Sequence, residues 1–228
     1  MPVVTVDGPS GAGKGLLSAT LARRTGWHLL DSGALYRLLG LCAAAEDIPL
    51  DDEEAIDKLA GRLAVRFRPG RDGIEIDPAA LPDGGGMLAE LRSERAGRLA
   101  SEAAARPTVR RALLALQRAY RRPPGLIADG RDMGTVVFPA AAVKFFLTAS
   151  AAERARRRHR QLLGRGENVK ISNLLRDIES RDRRDRERPL SPLIPAAGAV
   201  QIDSTGQSPE AVAAIAWSVM RERGLVSG

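Results

Sequence analysis

Residues 8–15 read Gly8-Pro9-Ser10-Gly11-Ala12-Gly13-Lys14-Gly15 and fit the pattern G-x-x-x-x-G-K. A short β-branched run from Val3 to Asp7 precedes them and predicts a buried strand. Apolar residues at helical spacing follow from Leu16 to Arg24. In this order of strand, loop and helix, glycines let backbone N–H groups surround a polyphosphate, while the helix N-terminus and Lys14 add positive charge. The segment therefore predicts a loop that binds a nucleoside triphosphate.

The loop differs from the usual pattern at the two positions after the lysine. Gly15 and Leu16 stand there, so neither position carries a hydroxyl for Mg²⁺. Small phosphotransferases that act on nucleotides tolerate glycine at the first position. Among proteins with this loop, Gly15 therefore favours that class. A dinucleotide-binding G-x-G-x-x-G pattern starting at Gly11 fails, because Leu16 occupies its third glycine position. A glycine turn with an unrelated lysine is the remaining alternative.

The composition is that of a globular protein. The 228 residues are 44% hydrophobic and 28% charged, which predicts one domain with insertions. The net charge of +7 includes arginine clusters at 154–160 and 176–188, but aspartates interrupt the second cluster and argue against a nucleic-acid groove. Cys42 is the only cysteine, which excludes an internal disulfide and a thiolate metal cluster. Because no apolar run approaches the length of a membrane span, we expect a cytoplasmic protein.

The order of predicted elements indicates the fold class. Apolar runs that predict strands occur at residues 3–7, 27–30, 125–129, 143–147 and 199–203. Helical patterns separate them, which predicts an α/β fold with a five-stranded parallel sheet and helices on both faces.

Two local signals refine this picture. Residues 65–68 and 73–76 alternate apolar and polar side chains around Pro69-Gly70-Arg71-Asp72, which predicts an antiparallel hairpin in an inserted subdomain. Ser150 and Glu153 have the spacing of a capping box at the start of an arginine-rich helix.

Charged residues mark candidate chemistry beyond the loop. Asp129 ends an apolar strand, where an acid can hold Mg²⁺ directly or through water. Arg181, Asp185 and Arg188 lie at i, i+4 and i+7 on one helix face, which suits a sugar hydroxyl and phosphates. The alternative is a solvated face of ion pairs contributing about 0.2–0.5 kcal/mol each. Because phosphoryl transfer needs many cations around one spot, we expect catalysis to depend on Lys14, Arg131, Arg181 and Arg188.

Four stretches resemble the bacterial cytidylate kinase family. They are residues 8–15, Leu30-Asp31-Ser32-Gly33 with Tyr36-Arg37, the block GLIADGRDMGTVVFP at 125–139, and RDRRDRER at 181–188. The resemblance covers essentially the whole chain, and it implies ATP-dependent phosphorylation of CMP and dCMP with Mg²⁺. It also implies a P-loop kinase core (about 1–35, 106–150 and 190–228), a nucleoside-monophosphate-binding insert that contains the hairpin (about 36–105), and a short lid (about 151–189).

The resemblance further implies roles for individual residues. For the CMP phosphate they are Ser32, Arg37, Arg131 and Arg188; for the ribose, Arg181 and Asp185; for cytosine, Ser101, Arg110 and Asp132; for ATP, the residues from Gly8 to Leu16 with the lid residues Arg154, Arg157 and Arg158. Asp132 can accept from the cytosine 4-amino group, while Arg110 and Ser101 donate to the ring. Uracil would place a carbonyl next to the Asp132 carboxylate, which would weaken its binding by about 1–3 kcal/mol or more. Leu16 replaces the hydroxyl residue usual in the family, so that contact to the ATP α-phosphate is missing.

Two rival functions stay open at this point. Another small-molecule P-loop kinase, for a different monophosphate or a coenzyme precursor, would differ at the three cytosine-reading positions. A basic nucleic-acid-binding NTPase would bind the phosphates of DNA or RNA with its arginine clusters. However, two Trp, two Tyr and four Phe leave few rings to stack on bases. We expect small nucleotides as partners, with no nucleic acid or membrane, and a monomer.

Overall fold

Strands and helices alternate along the chain in the computed structural model, which describes residues 1–63, 65–67, 74–164 and 166–227. The first elements are β1 (Val3–Asp7), α1 (Lys14–Thr25), β2 (His28–Asp31), α2 (Ser32–Ala45), α3 (Glu53–Arg62), β3 (Arg66–Phe67), β4 (Ile74–Glu75) and α4 (Met87–Glu90). They are followed by α5 (Glu94–Ala104), α6 (Pro107–Ala119), β5 (Leu126–Gly130), β6 (Val143–Thr148), α7 (Ala151–Leu163), α8 (Ile171–Glu187), β7 (Val200–Asp203) and α9 (Pro209–Glu222). Within these described residues, no helix has both the length and the apolar character needed to cross a bilayer.

The central sheet has five parallel strands in the order β2-β5-β1-β6-β7, which confirms the predicted fold class. Every residue of β1 and of β5 is buried, so both faces of the sheet are covered. The register pairs Asp7 with Gly130, and Asp31 with Asp129. These pairs bring the last residues of three strands to one edge of the sheet, where ligands bind in open α/β folds.

The predicted insert contacts the rest of the fold through three elements, because α2 packs on β5, α5 on α6 and the hairpin strand β3 near β2. Strands β3 and β4 pair antiparallel as predicted, while the predicted turn at Pro69 to Asp72 lies outside the described residues. Beyond α6, the Tyr120 hydroxyl donates to the Val65 carbonyl, and its ring centre lies 5.3 Å from that of Phe67. These contacts attach the hairpin to the end of a long amphipathic helix.

Helices α7 and α8 lie in the predicted lid and share a small apolar cluster of Ala155, Leu162 and Leu174, separate from the main core. Of the two hydrogen bonds that make up the predicted capping box at the start of α7, one forms and the other does not. The Ser150 hydroxyl does accept from the Glu153 N–H at 3.2 Å, but the Ser150 N–H donates to the Thr205 hydroxyl at 3.0 Å. The Glu153 carboxylate accepts from arginines of its own helix instead, because three of them lie within one turn or two.

Candidate active site

A cavity of about 1010 Å³ lies at the edge where the parallel strands end. Its lining includes every predicted site residue except Gly8 and Pro9, namely residues 10–16, Ser32, Arg37, Ser101, Arg110, Asp129, Arg131, Asp132, Arg154, Arg157, Arg158, Arg181, Asp185 and Arg188. The predicted core, insert and lid all contribute side chains. The structure therefore brings predicted site residues separated by up to 178 positions of sequence, from Ser10 to Arg188, around one space.

The glycine-rich loop connects β1 to α1 and forms one wall of the cavity. Gly8 has φ 145° and would place a Cβ only 2.0 Å from the Leu147 carbonyl oxygen, so this position requires glycine. Gly13 precedes α1 with φ 98° and gives the helix no side-chain cap. The N–H groups of the first turn are therefore available to an anion. Leu16 is 54% exposed at the cavity wall and has no polar atom to offer.

Lys14 and Asp129 form a buried pair at the bottom of the cavity. The Lys14 ammonium donates to the Pro9 carbonyl at 3.0 Å and lies 4.0 Å from Asp129 Oδ1. Burial and the nearby Arg131 charge lower the pKa of Lys14, although Asp129 partly offsets them. Burial also raises the pKa of Asp129, with Lys14 acting against it. A phosphate or a cation bound beside Lys14 and Asp129 would therefore shift the pKa values of both groups strongly.

Guanidinium groups also line the cavity, and two of them have buried nitrogen atoms. Arg181 Nε and Arg188 Nη2 are shielded from solvent and find no hydrogen-bond partner within the described part of the chain. Burial and the Arg131 charge lower the pKa of Arg181 to about 10, and burial lowers that of Arg188. Arg37 makes no hydrogen bond to any residue that the structure describes. Buried donors of this kind are rare in folded proteins unless a ligand satisfies them.

Asp185 is the acid that partly neutralises these cations. It accepts from Arg131 Nε at 3.0 Å and is buried. Burial alone would raise the pKa of Asp185, but Arg131 and Arg181 outweigh it and hold the pKa below its ordinary value. Arg181 and Asp185 on α8, with Arg188 directly after it, all line the cavity, which argues against a solvated ion-pair face.

The residues predicted to read a base meet in the insert-side part of the cavity. Arg110 Nη2 donates to the buried Asp132 carboxylate and to the Ser191 hydroxyl, the latter at 2.6 Å. Ser101 lines the same region from α5. Tyr36, buried beside them, is a lining residue to which sequence reasoning assigned no role. A tyrosine one helical turn into α2 carries no sequence signal that separates it from a core residue.

The three arginines of the predicted lid contact other parts of the protein. Arg154 is buried, bonds both Asp182 oxygens at 2.9 and 2.5 Å, and donates to the Ser10 carbonyl at 3.1 Å. Arg157 donates to the Ser204 carbonyl at 2.6 Å, and Arg158 donates to Glu94 in the insert at 2.6 Å. The first two anchor α7 against the phosphate-binding loop and the β7 end, while the third ties it to α5. Their predicted contacts to ATP stay predictions.

Asp7 is a second residue that sequence reasoning left without a role. Its carboxylate accepts from the backbone N–H groups of Met133 and Gly134, each at 2.8 Å, and so fixes a π-helical turn (Met133–Val137). That turn directly follows Arg131 and Asp132. The signal was available, since Asp7, like Asp129, is an acid near the carboxyl end of an apolar strand. Asp7 therefore connects the strand before the phosphate loop to the segment that carries two acceptor-site residues.

The pH dependence of stability tests the environment of Asp7. Burial raises the pKa of Asp7 from 3.8 to about 6. Between these values the folded protein holds the proton and the unfolded chain does not, so protonation favours the folded state. We expect the free energy of unfolding of the wild type, relative to that of D7N, to increase by up to about 3 kcal/mol as pH falls from 7 to 4. Urea unfolding of both ligand-free proteins across this range measures the difference.

D203N is a matched control for this comparison. The hydrogen bonds from Thr205 lower the pKa of exposed Asp203, so the wild type should lose stability relative to D203N as pH falls. A difference between wild type and D7N that does not change with pH would contradict the assignment of Asp7.

The cavity is lined both by the glycine-rich loop and by two arginines with buried nitrogens that no described residue bonds. Transfer of a phosphoryl group between two bound molecules requires this arrangement, because positioning and charge neutralisation supply most of the catalysis. The fold and the site therefore define a P-loop kinase.

Comparison with known proteins specifies the family. A family model for cytidylate kinase matches residues 4–222. The chain is 54% identical to the cytidylate kinase of Edwardsiella ictaluri over 222 residues, which covers 97% of each chain. It is 50% identical to that of Shewanella putrefaciens over 97% of this chain and 96% of the relative, and 53% identical to that of Pseudomonas fluorescens over 92% and 91%. The chain belongs to the cytidylate kinase family.

Proposed function

We propose that the protein transfers the γ-phosphoryl group of ATP to the 5′-phosphate of CMP and dCMP. The carrying observation is the pair of buried, unpartnered guanidinium nitrogens on Arg181 and Arg188, which face the same cavity as the phosphate-binding loop. An acceptor nucleotide would satisfy both donors, its ribose at Arg181 and its phosphate at Arg188, and the charge-assisted hydrogen bond to phosphate is a strong one. Family membership supports cytidine as the nucleoside.

In this proposal the donor site comprises the loop and α1. The backbone N–H groups at residues 11–16 surround the ATP phosphates, and Lys14 compensates the charge on the outer ones. Gly15 and Leu16 add no hydroxyl, so the backbone carries the phosphate contacts there. Arg154, Arg157 and Arg158 lie on the lid side of the same space.

The acceptor site comprises three groups of side chains. Arg37, Arg131 and Arg188, with Ser32, bind the CMP phosphate, and Arg181 with Asp185 bind the ribose. Ser101, Arg110 and Asp132 read cytosine, with Asp132 accepting from its 4-amino group. Because the CMP phosphate is already largely ionised near neutral pH, its oxygen attacks in line without a strong general base, and Lys14, Arg131, Arg181 and Arg188 neutralise the developing charge.

Mg²⁺ fits the donor site. Asp129 points its Oδ2 to within 3.5 Å of the space beside Gly15, and Asp31 neighbours it in the strand register. Among the described residues no cluster of three or more His, Cys, Asp or Glu could hold a metal alone. Mg²⁺ would therefore be held chiefly by phosphate oxygens and water, with Asp129 contributing through water, and it would supply charge neutralisation on the phosphates.

We further propose that residues 151–189 act as a lid and residues 36–105 as the nucleotide-binding insert. Closure of both would exclude water and suppress hydrolysis of ATP. Arg158 and Glu94 join these segments by an ion pair, which an opening of the lid away from the insert would break. The protein works as a cytoplasmic monomer on small nucleotides, without nucleic acid.

A coupled assay of ADP release with CMP, dCMP, UMP, AMP and dTMP tests the proposed function. CMP and dCMP should have the highest kcat/KM. Equal or greater activity with UMP or AMP would overturn the choice of cytosine and favour a kinase for another monophosphate. Stimulation of ATP hydrolysis by DNA or RNA, with affinity falling steeply in salt, would favour the nucleic-acid-binding alternative.

Substitution of Asp132 tests how the base is read. D132N keeps the shape of the side chain but presents an amide, which can donate to the uracil carbonyl and pairs less strongly with Arg110. We expect the ratio of kcat/KM for CMP over UMP to fall by about 10- to 100-fold, while KM for ATP changes little. D177N, on the exposed face of α8, is the control and should keep the wild-type ratio. An unchanged ratio in D132N would remove Asp132 from the base-reading set.

A further inference from the structure

The connection between α8 and β7 contains a residue with an unusual backbone. Residues 189–195, here called the strap, include Pro189, Pro192 and Pro195, which predict an extended conformation. Ser191 departs from it with φ 50°, in the left-handed region that a non-glycine residue rarely adopts. Such a conformation is strained and persists where surrounding contacts impose it. The contacts of Ser191 therefore explain what holds this backbone.

Those contacts reach both halves of the acceptor site. The Ser191 hydroxyl accepts from Arg110 Nη2 at 2.6 Å, and the Ser191 carbonyl accepts from Arg188 Nε. Ser191 itself is not among the residues that line the cavity, whereas both arginines are. We propose that Ser191 is a positioning residue for the acceptor nucleotide, which aligns the base-reading Arg110 and the phosphate-binding Arg188 through one turn of backbone.

The hydroxyl defines the orientation of Arg110. The Nη2 group has two hydrogens, and Asp132 and Ser191 accept one each. Nη1 reaches the Ala104 carbonyl at 3.4 Å, which is a weaker contact. Removal of the hydroxyl would leave the Asp132 pair as the one strong contact of the guanidinium group. A planar group held at one point can rotate, so its remaining N–H groups would lose their fixed direction toward the base.

The carbonyl has the matching effect on Arg188. With Nε bonded to the Ser191 carbonyl, Nη2 stays buried without a partner, as the proposed phosphate site requires. The strap is itself tied to α8, because the Leu193 N–H donates to the Asp185 carbonyl at 2.8 Å. The hydroxyl and the carbonyl of one serine thus couple the position of the base to that of the phosphate. This role rests on the proposed function.

S191A and S191G test the role of the hydroxyl. We expect each to raise KM for CMP by about 3- to 10-fold and to lower the preference for CMP over UMP to a similar extent, with KM for ATP unchanged. Glycine adopts φ 50° without strain, so S191G separates the hydroxyl from the backbone conformation. Wild-type CMP kinetics in S191G would overturn the proposal, even if S191A folded poorly. L190A, which alters an exposed strap residue, is the control and should behave as the wild type.

A double-mutant cycle shows whether Ser191 acts through Arg110. R110M alone should weaken CMP binding, and S191A added to R110M should raise KM for CMP no further. A full additional effect of S191A in the R110M background would show a role independent of Arg110 and contradict the proposal. If the wild type does not phosphorylate CMP, the proposed function fails, and this proposal fails with it. Normal CMP kinetics in both serine variants would remove Ser191 alone and leave the function standing.

Discussion

Replacement of Lys14 by methionine is expected to lower kcat by about 10³-fold. Lys14 is the cation of the phosphate-binding loop, and it is buried with a fixed contact to the Pro9 carbonyl. Because its surroundings are already dehydrated, its charge acts on the transferred phosphate with little screening. Methionine fills similar volume but leaves the Asp129 carboxylate without its nearest cation. Steady-state kinetics with CMP and ATP measure the loss.

K58M is the matched control for this prediction. Lys58 is exposed and pairs with Glu54 one turn earlier in α3, so its replacement should leave kcat within about twofold of the wild type. A loss smaller than about tenfold in K14M would contradict the assigned role, since removal of even one preorganised donor costs about 10²-fold or more.

Replacement of Arg181 by methionine should have opposite effects on activity and stability. Burial and Arg131 lower the pKa of Arg181, which shows that the folded protein disfavours this charge when no ligand is bound. We expect R181M to reduce kcat/KM for CMP by about 10²- to 10⁴-fold. The free energy of unfolding of the ligand-free variant should exceed that of the wild type by about 1 kcal/mol or more, because methionine removes a buried donor that no described residue bonds.

Paired measurements on one preparation decide this prediction. Urea unfolding without ligand gives the stability, and the coupled assay gives kcat/KM. R183M changes an exposed arginine of the same helix and should leave both quantities near their wild-type values. A loss of both stability and activity in R181M would indicate a structural role and remove the main support for the acceptor site.

Much of the donor site could be predicted from the chain itself. The G-x-x-x-x-G-K spacing, a β-branched run before it and a helical pattern after it all act over fewer than thirty neighbouring residues. The five strands were predictable for the same reason, since each is a short apolar run with its own boundaries. Asp7 carried the same signal as Asp129, an acid near the carboxyl end of an apolar strand, but its two backbone partners lie 126 and 127 positions away.

The sequence therefore determined the sheet, the phosphate-binding loop and the kinds of side chain available to the acceptor. It could not determine which of 35 lysines and arginines remain free for a ligand. Arg154, which the family resemblance assigns to ATP, has a guanidinium group that bonds Asp182 and the Ser10 carbonyl. Arg181 and Arg188 keep buried nitrogens without partners. Only the tertiary structure decides this, because the charge of an arginine is set by its own chemistry, whereas its hydrogen-bond partners come from distant parts of the chain.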